Sequence, residues 1–74
     1  MTDQTESARP DPAEAMLRYF DWEHLPSHLQ VVSAPFRSLA EFIVGDLPGG
    51  PEKTTALRKL LEAKDCAVRS ALDT

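Results

Sequence analysis

The sequence predicts an all-α fold: an antiparallel helical hairpin with a short N-terminal helix, assembling into a symmetric homo-oligomer. Three observations carry this reading. Apolar residues recur at steps of three and four along two long stretches, with a Gly/Pro-rich break between them. Strand signals are absent. At 74 residues, with one cysteine, the chain is short enough that a lone core is marginal and no disulfide can staple it, which leaves oligomerisation as the route to stability. The expected layout is a disordered tail over residues 1–10 and one helical domain over 11–74, with helices near 12–20, 26–45 and 51–72.

Each element has its own local signals. Met1 to Pro10 is polar and almost free of apolar side chains, as in a disordered tail. Asp11-Pro12-Ala13-Glu14 is a helix start: an Asp cap, Pro at the first helical position, and a Glu placed to close a capping box. Ala13, Met16, Leu17 and Phe20 then follow at helical spacing, and Asp21 to His24 reads as a bend. Leu25-Pro26-Ser27 opens the second helix, whose expected seam is Leu25, Leu29, Val32, Phe36, Leu39, Ile43 and Leu47. Pro35 removes a donor inside it, and a kink is expected near Val31–Ala34. Gly45 to Gly50 stops the helix, and Pro51 begins the last one, where a missing N–H costs nothing. Phe42 and Val44 fall off the seam of the second helix, and Leu60 and Leu61 split across two faces of the last. One apolar stripe therefore closes the hairpin and another is left to meet further subunits.

Composition narrows the function. A net charge of −4 argues against polymeric nucleic acid, which is bound by neutralising many phosphates. No apolar run approaches the roughly 20 residues that span a membrane, and one thiol without a signal-like segment points to the cytoplasm. No nucleophile–base pair, metal cluster or phosphate-binding glycine loop is evident, so neither an enzyme nor a cofactor is expected. The last helix is locally basic, with Lys53, Arg58, Lys59, Lys64 and Arg69 against Glu52, Glu62 and Asp65, and carries Ala56, Ala63, Ala67 and Ala71. Charge beside small residues suits an assembly that approaches closely around a small anion.

Two stretches resemble a known family. One is Trp22, followed three residues later by Leu25 and fifteen later by Arg37; the other is the turn and the leucine- and alanine-rich run from Leu47 to Ala71, which contains Arg69. Together they are similar to the helical-hairpin sponges by which phages counter CBASS and Thoeris defence. The resemblance spans Trp22 to Ala71. It implies a symmetric homo-oligomer, a hexamer in the better-known branch, that sequesters cyclic dinucleotides such as cyclic GMP–AMP between subunits and releases them unchanged. Some members also hold cyclic trinucleotides in a second set of pockets. In a phage-encoded protein the site of action would be the host bacterial cytoplasm. The family's stacking aromatic falls on Trp22, its phosphate-binding basic residue on Arg37, and the arginine of the second pocket on Arg69. Trp replaces the common Tyr, Arg replaces the common Lys, and Pro35 departs from the pattern.

Each candidate also has a purely structural reading. Trp22 can stack on a base or plug the helix junction against Phe20 and Leu25. Arg37 can fork a phosphodiester or pair with Glu41 four residues on. Lys53 and Thr54 stand in the first turn of the last helix, where free N–H groups favour an anion, or Thr54 bonds locally to backbone. Arg69 can meet a phosphate or pair with Asp65, and Arg58 with Glu62. His24 can line the Trp22 pocket or face solvent; with His28 it makes too few ligands for a metal. Cys66 reads as a small buried hydrophobe. The alternative function is a small helical oligomer that docks an acidic partner protein.

Overall fold

The computed structural model describes residues 12–72. The tail over 1–10 and the Asp11 cap lie outside the described residues. Helix α1 is one turn, Pro12–Ala15, and continues as a 3-10 helix over Met16–Phe20. Helix α2 spans Ser27–Asp46 and helix α3 spans Pro51–Leu72, each within a residue of the bounds read from sequence. The two long helices pack antiparallel, and the N-terminal segment lies against both.

Local chemistry accounts for the joints. The 3-10 helix ends where Asp21 turns extended and its N–H donates to the Arg18 carbonyl at 3.3 Å. The bend after it is closed by Leu25 N–H on the Trp22 carbonyl at 3.0 Å. Gln30 then reaches back from α2, its amide donating to the carbonyls of Leu25 at 2.8 Å and Glu23 at 3.1 Å. The Pro26 carbonyl accepts from Leu29 and Gln30, which starts α2 without a side-chain cap. At the hairpin tip Gly50 takes φ +140°, which side chains disfavour, and its carbonyl accepts from Lys53 and Thr54 to start α3.

The core is small. Ala13, Phe20, Ala40, Ile43 and Leu57 are buried together, with Met16, Leu17, Phe36, Val44, Ala56, Leu60 and Leu61 packed around them. The apolar set expected in the N-terminal segment is therefore the one that faces inward.

The expected seam of α2 needs correcting. The buried residues are Leu29, Ser33, Ala40 and Ile43, while Leu39 and Leu47 are exposed. The inward face thus keeps Leu29, Phe36 and Ile43 of the seam but takes Ser33 and Ala40 in place of Val32 and Leu39, and Val44 joins the core while Phe42 does not. The reason is that α2 is apolar on two sides, and the small Ser33 and Ala40 let neighbouring elements approach where Leu39 would hold them apart. Leu60 and Leu61 do not divide between two surfaces either, since both pack on the core. Helix α2 also runs unbroken through Pro35. Pro35 and Val31, the residue whose carbonyl loses its donor, both lie on the exposed side, so water can serve that carbonyl.

Candidate functional site

Arg37 projects from the flank of α2 and is held by three oxygens. Its Nε donates to Glu41 Oε2 at 2.7 Å, and its Nη1 donates to Asp21 Oδ1 at 2.7 Å and to the Leu17 carbonyl at 3.1 Å. The i,i+4 partner was legible from spacing; Asp21, sixteen positions away, was not. The guanidinium ties the end of the 3-10 helix to α2. The hydrogen bond it donates to Glu41 is the main reason its pKa lies above the ordinary arginine value, with Asp21 adding to it against some desolvation.

Beside this brace is a polar concavity of about 340 Å³ lined by Asp21, Trp22, Glu23, Arg37, Ser38 and Glu41. It brings together Trp22 and Arg37, the two residues that the family resemblance pairs. Trp22 is partly buried, neither sealed in the core nor fully in solvent. The lining also holds three carboxylates against one guanidinium. Within a single chain the field there favours a cation over a phosphate. His24 is exposed and is not among the lining residues.

The other candidates lie elsewhere. Lys53 does not present its charge to an outside anion: its Nζ donates to the carbonyls of Val44 at 2.7 Å and Leu47 at 3.1 Å, capping the C-terminal end of α2. Thr54 Oγ1 lies 3.5 Å from the Gly50 carbonyl, the local bond its structural reading anticipated. Both residues belong to the hairpin tip, where Leu47, Pro48, Gly49, Gly50, Pro51, Glu52, Lys53 and Ala56 line a mostly apolar groove of about 380 Å³. Arg69 is exposed in the last turn of α3, with Nη2 3.5 Å from Cys66 Sγ. Among the described residues it makes no ion pair with Asp65, and Arg58 makes none with Glu62.

Two readings of α3 change. Cys66 is exposed rather than buried, because it lies on the face with Glu62, Ala63, Arg69 and Ser70, all turned to solvent. Lys64 is not part of the solvated face: its side chain is 14% exposed, its Nζ donates to the Tyr19 carbonyl at 2.9 Å, and it stands 6.0 Å from the centre of the Phe20 ring. No short-range spacing could have signalled that contact, which joins residues 45 apart. Lys53, Lys64 and Arg37 are thus three cross-braces to backbone carbonyls. Arg58, Lys59 and Arg69 remain on the exposed side of α3.

Among the described residues no group of His, Cys, Asp and Glu is placed to hold a metal ion, and no helix is long and apolar enough to cross a membrane. Comparison with protein-family models, curated proteins and solved structures finds no significant match.

Proposed function

We propose that the chain binds and sequesters cyclic oligonucleotides, cyclic dinucleotides above all, as a symmetric homo-oligomer, without cleaving them. The observation that supports this reading is the shared concavity of Trp22 and Arg37. An aromatic face beside a guanidinium suits a base joined to a phosphodiester. The acidic lining sets a condition. Asp21 and Glu41 already hold Arg37, so the phosphate needs further positive charge from a neighbouring copy. Arg58, Lys59 and Arg69, exposed on α3, are the cations available to supply it. Two-fold related copies would offer two such pockets to a ligand that is itself two-fold symmetric.

Titration with cyclic GMP–AMP and other cyclic dinucleotides, followed by the fluorescence of the single tryptophan and by calorimetry, tests the proposal. Binding with recovery of intact nucleotide is the expected result. Silence in both measurements would sink it. Trp22→Leu should weaken binding about tenfold or more, in line with base stacking of roughly 1–3 kcal/mol. It is a cleaner variant than Arg37→Ala, which also removes a structural brace. The same exposed cations favour a second reading, a helical oligomer that docks an acidic partner protein. Retained association with an acidic protein surface, without nucleotide binding, would select it.

A further inference from the structure

Helix α2 carries a second apolar stripe, about a third of a turn round from the core face and uncovered within the chain: Val31, Pro35, Leu39 and Phe42 are all exposed, and Val32 beside them is only partly buried. With His28 before it and Asp46 after it, the stripe advances in steps of three or four, as a helix-pairing seam does. Apart from Val31, whose opposite position is the buried Ile43, its pattern is self-complementary on reversal. Laid antiparallel on itself about an axis near Arg37, the helix sets Pro35 against Leu39, Val32 against Phe42, and His28 against Asp46. Both end layers then match an imidazole N–H donor with a carboxylate. A parallel alignment would set Asp46 against Asp46 and His28 against His28.

We infer that this face is an isologous interface, where α2 of one copy packs antiparallel on α2 of a second copy, closed at each end by His28 and Asp46. The occupant follows from the pattern. The one register that stacks apolar on apolar, Pro35 on Leu39 and Val32 on Phe42, also sets a carboxylate against an imidazole at both ends, a charge match that a second copy supplies by two-fold symmetry. The size of the chain agrees, since its core is limited to a few side chains while larger apolar ones stay in water. This deepens the assembly that the proposed function calls for, but it rests on no ligand and can be measured without one.

Sedimentation equilibrium of the full chain in the absence of nucleotide is the primary test. The wild type should self-associate, and Leu39→Ser with Phe42→Ser should weaken association at least tenfold while the circular dichroism remains helical. Asp46→Lys alone should weaken it, and adding His28→Asp should restore it, because the reversed pair recurs at both ends. Orientation is read by disulfide trapping in a Cys66→Ser background. Mixing His28→Cys chains with Asp46→Cys chains should give the mixed disulfide in preference to either homodimer. A monomeric wild type at high micromolar concentration, association indifferent to the stripe, or preferential homodimer trapping would each overturn the inference. Since nucleotide binding is measured separately, loss of the ligand reading leaves this result intact, and the reverse holds as well.

Discussion

On one face of α2 the residues removed from solvent are Leu29, Ser33, Ala40 and Ile43; on the other, Val31, Leu39 and Phe42 remain 73%, 47% and 50% exposed. Bulk stands on both faces. An inner face built partly of a serine and an alanine permits close approach of the neighbouring elements, so the hairpin closes with short side chains at two of its four buried α2 positions. An outer face with a phenylalanine and a leucine does nothing for the isolated chain. The contrast teaches that apolarity alone does not say which side of a helix is inside. Size and the shape of the neighbour decide it, and bulky apolar side chains remain on the uncovered face.

The comparison can be broken most severely from the α3 side. Leu57 is fully buried against the inner face, and Leu57→Ala should cost about 2–5 kcal/mol. A chain of this length is expected to have only about 4–11 kcal/mol of stability, so urea unfolding should begin near zero denaturant or shift strongly downward. Next, adjacent positions of α2 should respond in opposite ways. Ala40→Leu overfills the inner face and should destabilise by about 1–3 kcal/mol, whereas Leu39→Ala should change monomer stability by no more than about 0.5 kcal/mol. Equal losses at 39 and 40 would mean the inner face had been misplaced.

A smaller effect sharpens the same contrast. Ser33 is fully buried and its hydroxyl has no hydrogen-bond partner among the described residues. An unsatisfied buried polar group is costly, and alanine is the better helix former, so Ser33→Ala should stabilise by about 0.5–1.5 kcal/mol. Thermal melts of the two chains would show it as a higher midpoint. Smallest of all, Lys53→Met removes the ammonium from the Val44 and Leu47 carbonyls and should cost about 0.3–1 kcal/mol, read from the urea midpoint.

Two of the six candidate residues lie together, Trp22 and Arg37, and the electrostatics around them were not legible in the sequence. Trp22 and Arg37 do share a concavity, and Glu41 is the partner that a four-residue step provides. The second carboxylate on Arg37 comes from Asp21, which the packing of the N-terminal segment delivers across sixteen positions. Lys53 had been read as an anion ligand from its place in a first turn. It is occupied because the hairpin folds the end of α2 back onto it. Cys66 was read as a small buried hydrophobe, yet it is exposed on the face of α3 that holds Glu62, Ala63, Arg69 and Ser70.

The sequence by itself determined where the elements begin and end. Pro12 and Pro51 at first helical positions, the Pro26 start, and the Gly49–Gly50 break before α3 act through local sterics and hydrogen bonds within a few residues. Only the tertiary structure decided which of two apolar faces of α2 is buried, and which cations are tied to carbonyls. Those outcomes depend on contacts between residues up to 45 apart, such as Lys64 with Tyr19. Helical periodicity records the angle of a side chain around its own axis; what stands opposite that side chain is set by how the helices pack.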